Sequence, residues 1–389
     1  MGTWKSGVDR FRPLRKGKFT AIVSGVSMIF LAACGGDSSG LGTTNPLPEL
    51  GTVFAVGSEP VDLAISPSGT QIVTANSGSN DASVIDLSSG MVSNIAAGQT
   101  AIGVVISPNG ARAYVTNRKT TSGTVTEIDL QSKSPVRTIT VAAGAGKGVM
   151  SGDGAFLFIP NGGNPPPGGL APNAISKIDT ATGSVVSSVT ATLPGGLVAN
   201  GTGTVFFSVL NLTTSIGLFE SNDSSVDNVL TDGPNCSYGV FSPNSSTVYT
   251  SCGLTDYVAQ IDVASRTLSQ TIAVGNGPAA LALNPDGSKL FVLRPSAGKL
   301  MVISTDTLKI QEISIAGSPS YLAVSPSGLY VLVATNEGQL IVLDRSGTSI
   351  LKTLELGGMP TGLRVSPSCS CAALPMFNLN RVVTILNVY

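Results

Sequence analysis

Five residues of this chain carry the groups that a ligand site needs: Asp62, Lys147, Tyr238, Tyr321 and Arg364. One carboxylate, two cations and two phenols could together hold a polar, anionic or glycan-like molecule by charge and directional hydrogen bonds. Aligned on a recurring turn, Asp62, Gly103, Lys147, Gly196, Tyr238, Ala280, Tyr321 and Gly362 fall in one column. Arg364 sits two residues further on, where the other repeats have Ala or Val. The adjacent column holds Leu63, Val104, Gly148, Leu197, Gly239, Leu281, Leu322 and Leu363. Alternate residues of a strand face opposite ways. The apolar column therefore reads as packing, and the mixed column as the lining of a shared pocket. An Arg at an otherwise small, apolar position needs an anion beside it. Asp62 supplies one if the first and last repeats meet, and a bound anion is compatible with that pairing.

Other chemistries are excluded by residue type. The chain has no His, which removes Ser-His-Asp and Cys-His nucleophilic sites and His-ligated zinc or haem. It has no P-loop or dinucleotide fingerprint. No catalytic residue, cofactor or metal is assigned. Among the cysteines, Cys236 and Cys252 fall at the same end of one predicted hairpin, and a disulfide between them is expected in an oxidising compartment. Cys369-Ser370-Cys371 lies at a turn. Its thiols are read as a disulfide or free thiols, or, with Met376, as a soft Cu(I) site.

The elements that must position these residues repeat eight times. The turn phrases are Ser66-Pro67-Ser68-Gly69, Ser107-Pro108-Asn109-Gly110, Ser151-Gly152-Asp153-Gly154, Asn200-Gly201-Thr202-Gly203, Ser242-Pro243-Asn244-Ser245, Asn284-Pro285-Asp286-Gly287, Ser325-Pro326-Ser327-Gly328 and Ser366-Pro367-Ser368-Cys369. Their last residues are 41, 44, 49, 42, 42, 41 and 41 positions apart. A period near forty built from short β-branched runs is the signature of a β-propeller, one blade per repeat. In the first repeat the predicted strands are 60–65, 71–76, 82–86 and 91–96. The last repeat lacks a fourth strand, whereas Thr52–Gly57 precedes the first repeat as a lone strand. Pairing the two closes the ring and leaves no open edge. The expected fold is all-β, a propeller of four-stranded antiparallel blades. It has eight blades, or seven if the weakest repeat, the fourth, is not one.

Tyr114-Val115-Thr116-Asn117 and the pairs Ile85-Asp86, Ile128-Asp129, Ile178-Asp179 and Ile261-Asp262, with Leu343-Asp344 as a variant, resemble the YVTN-repeat β-propeller family over residues 50–389. The resemblance implies the fold and leaves function open, because that family has diverse roles. The Asp residues of these pairs end third strands, where Asp caps a turn through nearby backbone, so they read as structural. Lactonase propellers are similar in repeat length but usually carry His. The only Trp is Trp4, which disfavours WD-type and Trp-docking propellers. On the loop rim, Arg118, Lys119 and Arg294 are further ligand candidates, and the insertion Asn161–Gly169 in the third repeat could shape a binding face.

The N-terminus adds an address. A basic stretch and an apolar run, Phe19–Phe30, end in Leu31-Ala32-Ala33-Cys34, which resembles a bacterial lipobox. Residues 1–33 are expected to be a signal peptide, Cys34 the lipidated residue, 34–49 a flexible tether and 50–389 the propeller. Position 35 is Gly rather than Asp; by resemblance to Gram-negative lipoproteins this implies the outer membrane, facing the periplasm or the cell surface. Removing residues 1–33 takes away six of 22 Lys/Arg and one of 23 Asp/Glu, leaving a net charge of about −6. That balance argues against nucleic acid. The expected partners are the membrane, through the lipid, and a small polar ligand or an envelope protein, bound by a monomer without catalysis. The alternative is a lactonase-like hydrolase acting on a lactone or sugar derivative.

Overall fold

Strand-forming runs punctuated every few residues by turns cannot bury both faces alone, so they stack. In the computed structural model they form eight four-stranded antiparallel sheets arranged as a ring, a β-propeller. The structure describes residues 45–118, 122–162, 174–210, 213–231, 236–275, 277–366 and 368–389. Lys119 and most of the third-repeat insertion lie outside the described residues. Short 3₁₀ turns at Pro295–Ala297 and Phe377–Leu379 are the only helical elements among the described residues.

Blade one consists of Pro60–Ile65, Gln71–Asn76, Asp81–Asp86 and Val92–Ala96, in that order from the inside outward. The second strand is buried almost throughout because neighbouring blades cover both its faces. The outermost strand buries little more than one side chain, Ile95. The core is accordingly divided. Eight apolar clusters each sit between one blade and the next, from Val73–Leu130 between blades one and two to Phe54–Val382 between blades eight and one. Leu63, Val104, Leu197 and Leu363 belong to these clusters, as the apolar column predicts.

The turn phrase has one physical job. Its first side chain accepts the backbone N–H that opens the second strand: Ser66 from Gln71 at 3.0 Å, Ser107 from Arg112 at 3.0 Å, Ser325 from Tyr330 at 3.0 Å. Gly69, Gly110, Gly154, Gly203, Gly287 and Gly328 all take positive φ, between 65° and 74°, which favours Gly. Blade four, read as the weakest repeat, is complete: Pro194–Ala199, Val205–Leu210, Ser215–Glu220 and Asp227–Leu230. Asn200 Oδ1 replaces the serine hydroxyl, accepting from Thr204 at 2.9 Å and Val205 at 3.1 Å. Phe158, Phe206 and Phe219 pack its face against blade three with ring centroids 4.7–5.6 Å apart. Seven blades is therefore the wrong count.

Closure follows the predicted route. Glu49–Ala55 pairs antiparallel with Arg381–Leu386 as the outer strand of blade eight. The strand lies slightly earlier than Thr52–Gly57. Gly57 has turned away to donate its N–H to Ser83 Oγ at 3.0 Å. The end of the expected tether is tied down as well, with Tyr330 Oη donating to the Pro46 carbonyl at 3.2 Å.

Candidate functional site

Asp62 lies where the ladder of blade one breaks register, between Pro60 and Asp62. Such a bulge re-aims the next side chain. The carboxylate, in a residue only 6% exposed, turns across the inner wall. Its Oδ2 accepts the Val104 N–H of blade two at 3.0 Å. Its Oδ1 accepts Lys147 Nζ of blade three at 2.7 Å and Arg364 Nη2 of blade eight at 3.1 Å. The expected Arg364–Asp62 pair is thus present, with Lys147 as a second cation from two blades away.

Three sequence features permit this. Gly103 has no side chain where Lys147 crosses: a Cβ there would lie 2.9 Å from Lys147 Cα. Lys147 precedes an inner strand of only two residues, Val149–Met150. Arg364 opens another short one, Arg364–Ser366. Inner strands in five other blades have six residues. The two cations therefore sit where the inner ladder stops and the backbone can aim them.

The electrostatics follow from enclosure. The Lys147 side chain is 37% exposed, but what it faces is the channel, with protein around it. Burial pushes its ammonium below the usual lysine range, Asp62 pulls it back up, and Arg364 adds to the lowering. Burial raises the Tyr321 phenol, which also feels Tyr238, Arg364 and Asp62. These groups share one electrostatic environment.

They do not share one cavity. A cavity of about 680 Å³ opens on the turn side of the channel, between the inner strands of blades eight, one, two, three and four. Ile65, Val105, Ile106, Val149, Met150 and Val365 contribute to its wall, and Lys147 and Arg364 reach it; Tyr238 and Tyr321 do not line it. Tyr238 is half exposed elsewhere, and Tyr321 packs against the cluster between blades seven and eight. Arg118 donates through Nε to the Ala145 carbonyl at 3.1 Å, linking blades two and three. Arg294 lies beside Glu312 at 3.7 Å, toward the outer strand of blade six. Neither arginine joins Lys147 and Arg364.

The strand-end carboxylates behave as turn caps. Asp86 Oδ1 accepts from Ser88 Oγ and the Ser88 and Ser89 N–H groups. The serine hydroxyl bond, then the Ser89 amide, lowers its pKa to about 2. Asp129, Asp179, Asp262 and Asp344 accept comparable amide bonds. Cys236 and Cys252 form the expected disulfide, and Cys369 is bonded to Cys371. Met376 lies at the other end of the strand Cys371–Met376, on the order of 16 Å away at about 3.3 Å per residue. The three sulfurs do not form a copper site.

Sequence reasoning missed one polar site. Glu127, 3% exposed, pairs with Arg112 at 3.2 Å and Arg137 at 2.5 Å. Arg112 also pairs with Asp129, and Arg137 Nη2 donates to the Thr180 carbonyl of blade three at 2.7 Å. Burial and the Glu127 charge push the nearby Tyr114 phenol up to about 12. The signal in the sequence was weak: the same third-strand position is Val84, Leu218, Val302 and Val342 in four blades but Lys177, Gln260 and Thr384 in three others. Every charge here has a protein partner, so the network joins two blades.

No protein-family model and no curated protein matches the chain. Solved structures do. The dihydro-heme d1 dehydrogenase NirN in complex with DHE aligns with TM-score 0.68 at 15% identity, over 87% of this chain and 76% of that one. The computationally designed Ika8 protein aligns with TM-score 0.67 at 13% identity, over 85% and 96%. Kuenenia stuttgartiensis hydrazine synthase aligns with TM-score 0.56 at 16% identity, over 84% and 95%. At such identities the likeness is one of fold.

Proposed function

We propose that this chain is a lipid-anchored, non-enzymatic binding propeller of the cell envelope, of the YVTN-repeat type, which holds a ligand in its channel. The observation that carries the reading is the pair Lys147 and Arg364, anchored by one buried carboxylate at a cavity whose wall is mostly aliphatic. Fixed charges beside an apolar wall are how small-molecule sites set orientation. The lipobox around Cys34 supports the anchor, and Gly35 supports the outer membrane. The hydrolase reading finds little support. Both Asp62 oxygens are committed to donors, and a phenol raised by burial, as in Tyr321, is a poor base near neutral pH.

Native mass spectrometry of the chain purified without denaturant tests the binding reading. A bound small molecule present in wild type and lost in Arg364→Ala supports it. Retention in the variant moves the site elsewhere. Cys34→Ser tests the anchor, which predicts release from the membrane fraction or an uncleaved chain; a processed, tightly membrane-bound variant contradicts it.

A further inference from the structure

The cavity has a chemistry narrower than the five-residue set suggested. Its wall is mostly aliphatic, and the polar side chains at its mouth accept bonds from their own hairpins, Ser366 Oγ from the Ser368 N–H among them. Ser66 Oγ holds Thr70 and Gln71, Ser151 Oγ holds Phe156, and Asn200 Oδ1 holds Thr204 and Val205. Asp62 does not line the cavity, whereas Lys147 and Arg364 do. The ammonium has three donors and the guanidinium five. Among the described residues, Asp62 takes one from each and the Leu363 carbonyl takes one from Arg364. The cavity therefore offers hydrogen-bond donors on positive groups at one place, a largely aliphatic wall, and at its mouth hydroxyl and amide groups already engaged with their own hairpins.

The charge count sets the ligand's charge. Two cations against one carboxylate leave a single positive charge uncompensated. A monoanion balances it. A phosphate monoester, at about −1.5 to −2, overshoots. The planar guanidinium matches a carboxylate edge. A cavity of about 680 Å³ lies in the range of small-molecule sites, roughly 300–1,000 Å³.

We infer that the channel cavity binds an amphiphilic monocarboxylate, its head against Lys147 and Arg364 and its aliphatic or aromatic body along Ala64, Val105, Val149, Met150 and Val365 toward the turn face. The inference rests on the proposed channel site and names its ligand class. A polar glycan gains nothing from that wall and would leave it wetted.

Isothermal titration of the full chain with octanoate, butyrate, acetate, 1-octanol and octyl phosphate tests it. Affinity should rise from acetate to octanoate, by about three- to fourfold for each methylene that becomes buried. Octanol and octyl phosphate should each bind at least fivefold more weakly than octanoate. Arg364→Met should weaken octanoate at least fivefold and leave octanol unchanged. Ala64→Phe, which narrows the cavity, should weaken octanoate and octanol alike. The wild-type series decides the matter even if a variant fails to fold. Equal binding of acetate and octanoate, equal binding of octanol and octanoate, tighter binding of octyl phosphate, or no binding of octanoate would each overturn the assignment. If Arg364→Ala still strips a co-purified molecule while octanoate does not bind, the channel remains a ligand site and only the ligand class falls.

Discussion

Asp62→Asn asks whether one carboxylate organises the inner wall. It preserves shape and removes the charge that faces Lys147 and Arg364. All three bonds to the carboxylate, from the Val104 N–H and from the two cations, are charge-assisted, each worth about 1.5–3 kcal/mol. Removing one partner of a fully buried pair costs about 3–5 kcal/mol. Here the cations are 37% and 43% exposed to the channel, so solvent screens them and the charged terms are discounted. The amide oxygen retains one acceptor site. The expected loss is about 2 kcal/mol, read as a lower urea midpoint and a melting temperature lower by about 4 °C for a chain of this size. The cycle with Arg364→Gln should then show a coupling of about 0.5–1.5 kcal/mol, because each single change leaves the other partner uncompensated. Stability of Asp62→Asn within 0.5 kcal/mol of wild type would refute the reasoning.

Gly103→Ala places a Cβ 2.9 Å from Lys147 Cα; a loss of about 1–3 kcal/mol by urea unfolding is expected, with a shifted Lys147 Nζ resonance in NMR. Replacing Cys236 and Cys252 together by Ser opens a link across 16 positions and should cost about 3 kcal/mol. Peptide mapping without reductant should recover that pair joined in wild type. The turn carboxylates make stability fall in acid. Asp86 drops from an ordinary 3.8 to about 2, so its contribution is complete above about pH 4 and lost between about 4 and 2. Asp86→Asn should flatten that fall when melting is followed against pH.

The ring was legible because its period is written in Ser, Pro and Gly at turns, residues whose geometry leaves few substitutes. Blade four is faint in sequence because its phrase, Asn200-Gly201-Thr202-Gly203, has no proline, yet the Asn oxygen caps the same amide as a Ser hydroxyl. Within the site, the column gave Asp62 and Lys147, the position two residues further on gave Arg364, and neighbouring repeats implied the Arg364–Asp62 pair. The Lys147 contact was hidden, since it skips a blade through the space left by Gly103. Tyr238 and Tyr321 share that column without lining the cavity. A shared column fixes height and facing but not position around the ring, and blades five and seven lie outside the wall formed by eight and one to four. Glu127 lies in a third strand, at a position that is polar in half of the blades, so no break in an apolar pattern marks it.

The most direct test of the account is native mass spectrometry of wild type beside Arg364→Ala and Asp129→Asn. The account predicts a small molecule carried by wild type and Asp129→Asn and absent from Arg364→Ala, with all three chains folded by circular dichroism. The same molecule retained by Arg364→Ala, and lost from Asp129→Asn, would place recognition on the outer turns and contradict a channel site.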